Sequence, residues 1–239
     1  MIKLIKMNAV ITGATKGIGF AIAQKFVEKG FSVAICSRNE DDLAKAKVEL
    51  LNINGDITVL TFKADVSIKS DVVSFARFCL KGFEKIDILV NNAGVFFPGM
   101  IMEEEEGALE KMIETNLYSA YHMSRQIIPS MQKIKSGYVI NMASIASFMA
   151  YPNGGSYSIS KFALKGFSQV LREELKEDGI KVTTIMPGAT WSNSWAGADF
   201  PKSRLMQARD IAESVWSIFE MSPSAVVEEV IIRPQLGDL

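Results

Sequence analysis

Seven short runs rich in β-branched residues, separated by longer stretches of helical periodicity, constrain this 239-residue chain more than any other feature. The strand-like runs cover residues 7–12, 31–37, 57–63, 86–91, 137–143, 180–186 and 225–233. Helical periodicity is read near 18–29, 40–52, 69–82, 105–115, 117–135, 155–177 and 208–220. A chain alternating in this way buries both kinds of element by forming a parallel sheet with helices on its two faces. The expected fold is α/β: one doubly wound domain over residues 1–239, with a seven-stranded, mainly parallel sheet. Gly30, Gly82 and Gly179 each follow a helical stretch, where a left-handed cap is expected.

Composition narrows the partners. A formal net charge of −1 gives no electrostatic reason to expect nucleic acid or an anionic membrane. No segment approaches the roughly 20 apolar residues that a membrane-spanning helix requires, and no signal peptide is read at the start. Cys36 and Cys79 are the only cysteines and lack metal-ligand spacing, so no metal site is expected and two reduced, buried thiols in a cytoplasmic protein are. Glu103–Glu106 is read as a solvated first helical turn and His122, the single histidine, as a surface or interface residue.

The stretch VITGATKGIGFAIA follows the first strand and opens the first helix. Gly13, Gly17 and Gly19, with Thr15, Lys16 and Ile18 between them, remove Cβ atoms where backbone N–H groups and a helix N-terminus can approach a pyrophosphate. Strand two ends at Ser37, where an NAD site usually carries a carboxylate for the ribose 2′-hydroxyl, and Arg38 stands beside it. A guanidinium there can grip a 2′-phosphate, and Lys16 adds a second positive charge on the same side. The pair favours NADP.

The stretch YSISKFALKGF places Tyr157 and Lys161 at positions i and i+4, on one face of a helix. That helix begins beyond the C-terminal end of strand five, the sheet edge at which open α/β folds bind ligands, and Ser144 sits just past the same strand.

With these residues in place the chain resembles a classical short-chain dehydrogenase/reductase, a family with a Rossmann fold. TGATKGIG resembles the cofactor-binding turn. Asp65 and Val66 match the segment that contacts adenine, and Asn92, Ala93 and Gly94 of NNAG match the motif bordering the cofactor. Asn116, Ser144, Tyr157 and Lys161 fall where the family keeps its catalytic tetrad. Pro187 and Gly188 fall at the end of strand six, and Ser192 stands where many members have threonine.

The resemblance implies hydride transfer between NADPH and a small carbonyl or alcohol substrate. Tyr157 would act as general acid/base, with its phenol lowered by the nearby ammonium together with the positive charge of oxidised nicotinamide. Ser144 would hydrogen-bond the substrate oxygen, and Lys161 the ribose. Asn116 would hold a water. Phe96, Phe97, Met149, Tyr151, Trp191 and Trp195 are read as an apolar substrate pocket, and a segment near 190–207 as its cover. A homodimer or homotetramer is expected. The closing VVEEVIIRPQLGDL departs from the glycine-rich tail of acyl-carrier-protein reductases. A 3-oxoacyl-thioester reductase and a non-catalytic NADP sensor are the alternative readings.

Overall fold

A computed structural model describes residues 7–191 and 201–238 of the chain. All seven strands are present and all pair in parallel. They are β1 (Asn8–Thr12), β2 (Ser32–Ser37), β3 (Val59–Lys63), β4 (Ile88–Asn91), β5 (Gly137–Met142), β6 (Ile180–Pro187) and β7 (Glu229–Ile232). Their order across the sheet is β3-β2-β1-β4-β5-β6-β7. The chain therefore winds outward from β1 in one direction and from β4 in the other. This switch opens a crevice at the C-terminal ends of β1 and β4.

Helices α1 (Gly17–Glu28), α2 (Glu40–Ile53) and α7 (Ala208–Phe219) contribute to one apolar cluster; α3 (Lys69–Gly82), α5 (Ser119–Ile134) and α6 (Gly155–Leu175) contribute to the other. The strands supply both clusters by strict alternation. Ile11, Ile88 and Ile140 face the first, whereas Val10, Leu89 and Val139 face the second. Burial on both faces explains why the central strands read as continuous apolar runs.

Three expectations need correction. The stretches 105–115 and 117–135 are not separate helices: α4 (Ala108–Ile113) runs through a π-helical turn at Glu114–Tyr118 into α5. The extra backbone residue of a π-turn shifts the apolar periodicity by about one position, so the sequence reads as a break between two helices. Gly30 and Gly179 do adopt positive φ, but Gly82 is the last residue of α3 and lacks it. It is small because a Cβ there would overlap Leu60 Cδ1. Finally, β7 is shorter than the run 225–233. As an edge strand, it exposes alternate residues rather than burying both faces.

Candidate active site

At the sheet switch a cavity of about 740 Å³ opens, bordered by the turn after β1. Gly13, Thr15, Lys16, Gly17, Ile18 and Gly19 line it, as do Ser37 and Arg38 after β2, Asp65 and Val66 after β3, and Asn92, Ala93 and Gly94 after β4. Thus every residue expected in the glycine turn, the β2 end and the β3 and β4 loops meets in one place.

Gly13 (φ +65°) and Gly17 (φ +60°) take the left-handed conformation that the turn requires. A Cβ on Gly13 would also stand 3.0 Å from Ala93 Cα, and one on Gly19 would overlap the Asn92 amide. Two of the three glycines therefore serve close packing of the β1 and β4 loops. Helix α1 has no side-chain cap, so its first N–H groups stay open toward the cavity, a donor set that suits a pyrophosphate. Lys16 and Arg38 are exposed on the same rim, and neither makes an ion pair with a described residue. The cavity thus fits a dinucleotide with an extra phosphate.

Thr12, the last residue of β1, was missed by the sequence reading. Its hydroxyl oxygen accepts hydrogen bonds from the backbone N–H groups of Asn92 (3.0 Å) and Ala93 (3.1 Å). The Asn92 side chain donates back to the carbonyls of Thr12 (2.9 Å) and Gly13 (3.0 Å). These four bonds lock the two loops together. Asp65 folds its own turn by accepting from the Ser67 backbone (3.0 Å) and hydroxyl (2.7 Å).

Beyond Gly94 the polar residues converge. A Cβ on Gly94 would lie 3.3 Å from Asn116 Oδ1 and 3.5 Å from Lys161 Nζ, so glycine keeps this passage open. Lys161 is buried and donates to the Met142 carbonyl at 2.9 Å, with its ammonium 5.7 Å from the Tyr157 ring centre. Tyr157 and Lys161 do share one face of α6, and the Ser144 hydroxyl hydrogen-bonds the phenol. Ser144 is itself held by the 3₁₀ turn Ile145–Ser147: its oxygen accepts from Ala146 N–H at 3.2 Å, while its own N–H donates to Ser147 Oγ at 3.3 Å.

Asn116 lies in the π-turn, and its side chain makes three hydrogen bonds. Its Oδ1 accepts from Val95 N–H at 2.7 Å, and its Nδ2 donates to Val95 O (3.0 Å) and Ser160 Oγ (2.9 Å). The amide therefore braces the loop after β4 against α6. Both amide protons and one lone pair of Oδ1 are spent on this brace, which leaves one side-chain acceptor site and the backbone carbonyl for a water.

Electrostatics show what burial does before any cofactor charge is present. Burial pushes the Tyr157 phenol up to about 12, an effect that the Ser144 hydrogen bond only partly offsets. Burial also pulls the Lys161 ammonium down to about 8. The ammonium was expected to lower the phenol, but in the absence of a bound charge desolvation outweighs it. Near neutral pH the site therefore holds a protonated phenol beside a protonated amine.

Phe97 lines the cavity, and Phe96 stacks edge-on against Tyr157 with ring centres 4.8 Å apart. Met149, Tyr151 and Trp191 are half-buried; Trp195 and Ser192 lie outside the described residues. Pro187 ends β6, and Gly188 donates its N–H to Ile232 O at 2.7 Å. The C-terminal tail packs there too: Arg233 pairs with Asp238, whose carboxylate lies against Gly188, and burial, with a smaller effect of that carboxylate, raises the Tyr151 phenol. Ser67, Lys111, Glu114, Thr115 and Thr190 also line the cavity and were not anticipated. The i, i+3, i+4 spacing of residues 111, 114 and 115 was the available signal.

Cys36 and Cys79 are free and buried, and His122 is half-buried against Tyr118 and Tyr121. Among the described residues no helix is long and apolar enough to cross a membrane.

Comparison with known proteins places this architecture. The family profile described as short chain dehydrogenase matches residues 7–199. An uncharacterized oxidoreductase of Staphylococcus epidermidis is 33% identical over 98% of this chain and 100% of its own length. The sepiapterin reductase of Chlorobaculum tepidum is 31% identical over 98% of this chain and 99% of its own. Among solved structures, the alcohol dehydrogenase of the archaeon Thermococcus sibiricus, complexed with 5-hydroxy-NADP, superposes with a TM-score of 0.89. It is 28% identical, with 96% of this chain and 97% of that one covered. A metagenomic short-chain oxidoreductase in complex with NADP gives a TM-score of 0.83 at the same identity and coverage. With a family match across most of its length and relatives above 30% identity that span it almost completely, the chain belongs to the short chain dehydrogenase family of oxidoreductases.

Proposed function

We propose that the protein is an NADP-dependent carbonyl reductase or alcohol dehydrogenase, with Tyr157 as its general acid/base. The observation that carries this reading is the meeting of Ser144, Tyr157 and Lys161 just beyond Gly94, a lining residue of the glycine-rich, dinucleotide-sized cavity. Preference for NADP rests on Lys16 and Arg38 at the cavity rim, which make no ion pair with a described residue. The two solved relatives that carry NADP or its 5-hydroxy form support it.

The glycine turn and the α1 N-terminus would hold the pyrophosphate, with Arg38 and Lys16 at the 2′-phosphate and Lys161 at the nicotinamide ribose. The bound cofactor supplies hydride. The protein's own task is to place the substrate oxygen between Ser144 and Tyr157. Ser144 donates a hydrogen bond as negative charge develops on that oxygen, and the Tyr157 phenol transfers its proton to it. The phenolate left behind is stabilised by the Lys161 ammonium. Asn116 keeps the loop after β4 in register with α6 through Val95 and Ser160. Phe96, Phe97, Met149, Tyr151 and Trp191, with Trp195 from the segment near 190–207, would form an apolar wall that favours neutral carbonyls over charged ones.

Tyr157→Phe tests this directly, because it deletes one oxygen and leaves the ring. NADPH titration should be nearly unchanged, whereas reduction of a carbonyl substrate should fall by about 10²–10⁴. Full turnover by the variant would rule out the mechanism.

A further inference from the structure

The four glutamates 103–106 do not form the first turn of a helix. Helix α4 starts at Ala108 after Gly107, and three of the four carboxylates are exposed. Glu104 is the exception. It is half-buried, and its Oε1 accepts the backbone N–H of Ser156 at 2.8 Å while its Oε2 accepts the Ser156 hydroxyl. Ser156 is buried in the first turn of α6, immediately before Tyr157, and α6 has no side-chain cap of its own. Glu104 thus supplies from 52 residues away the acceptor that this helix end lacks.

The same contact closes a strap. Residues 95–104 are fixed at their start by Asn116, which bonds both backbone groups of Val95. Midway, Gly99 N–H donates to Asn153 O at 3.1 Å, and Gly99 bridges Gly154. A Cβ on Gly155 would stand 2.6 Å from Gly99 O and would overlap Glu104 Oε1, so the strap lies directly on the helix start. Between these anchors Phe96 rests edge-on against Tyr157.

We propose that Glu104 is a positioning residue for the proposed carbonyl-reducing site. Its carboxylate latches the strap 95–104 onto the first turn of α6 and thereby holds Phe96 and Tyr157 in register. The inference rests on the function proposed above, since it assigns the latch a role in presenting the phenol and the wall beside it. Glu104 touches neither the cavity nor the phenol, so it acts only through Ser156 and the strap.

The test compares the unmodified protein with Glu104→Ala, Glu104→Gln and Ser156→Ala in three measurements. These are NADPH titration, kcat and KM for a neutral ketone, and amide hydrogen exchange across residues 95–104 and 153–158. Glu104→Ala should speed exchange in both segments and lower kcat/KM by about 10-fold or more, since small misplacements of reacting groups are costly. NADPH affinity should stay within about two-fold, because the residues the latch fixes lie away from the pyrophosphate turn. Glu104→Gln keeps an acceptor for the Ser156 N–H and should recover most of the loss. Ser156→Ala removes half of the latch from the helix side and should fall between, so the inference remains testable if Glu104→Ala fails to fold. Unchanged exchange overturns the latch. Faster exchange with an unaltered kcat/KM overturns the positioning role, as does a Gln variant as impaired as Ala. An unmodified protein that reduces no carbonyl overturns the proposed function and the positioning role with it. An active unmodified protein with a fully active Glu104→Ala overturns this inference alone.

Discussion

A buried lysine held by one carbonyl is an unusual group to find beside a half-buried phenol, and each titrates in a direction set by its loss of water. The Lys161 ammonium is drawn down to about 8 and the Tyr157 phenol is pushed up to about 12. The sign for reduction follows. The reaction needs the phenol protonated, which holds throughout the neutral range, and the ammonium charged, which fails as pH rises through about 8. A plot of kcat/KM for NADPH, which reports the protein free of cofactor, should therefore be level below that value and decline above it. Lys161→Arg, which cannot lose its proton in this range, should abolish the decline even if its overall rate is low. A profile that rises between pH 7 and 9 would contradict the assignment of the lysine. Both residues were legible in the sequence as an i, i+4 pair. Their titration was not, because it depends on how much of the fold covers them.

The elements were legible where one chemical pattern decided them, and less so where a contact did. Central strands announced themselves as apolar runs because both of their faces are buried. The π-turn at Glu114–Tyr118 did not, since its cause is tertiary: Asn116 must reach Val95 and Ser160 together. Thr12 and Glu104 escaped for a similar reason, as their partners lie 80 and 52 residues away in sequence. Gly179 is a case in which local reading and structure agree. It takes φ +67° between α6 and β6, and a Cβ there would stand 2.5 Å from the Lys135 carbonyl at the end of α5. Gly179→Ala should therefore strain the backbone and displace that junction, destabilising the protein by about 1–2 kcal/mol. Urea unfolding should show a lower midpoint, while the Michaelis constant for NADPH should be unchanged because the junction lies at the opposite end of β6 from Gly188. Gly30→Ala provides the comparison: it shares a positive φ (+85°) but meets nothing within 4 Å, so it should cost less.

At the scale of the whole molecule, the reversal of strand order at β1 and β4 is what brings distant segments to one cavity. The glycine turn, the end of β2, the loops after β3 and β4, and the first turns of α6 all emerge on the C-terminal side of the sheet. A dinucleotide bound there would bridge elements from both windings, so its binding energy should appear as stability of the entire fold rather than of one loop. Ligand present at 100 times its dissociation constant stabilises a two-state protein by about 2.7 kcal/mol. For a chain of this size each kcal/mol raises the melting temperature by roughly 2–4 °C. Saturating NADPH should thus raise it by about 5–10 °C, and NADH at the same concentration by distinctly less, because only NADPH offers a 2′-phosphate to Arg38 and Lys16. Arg38→Asp should shrink the NADPH shift and enlarge the NADH shift, since a carboxylate repels the phosphate but accepts the ribose hydroxyl. The folded state without cofactor should melt as before, as Arg38 is exposed and makes no ion pair with a described residue. Equal shifts by the two cofactors in the unmodified protein would remove the basis for choosing NADP, while leaving the dinucleotide cavity and the chemistry at Tyr157 to be judged on their own measurements.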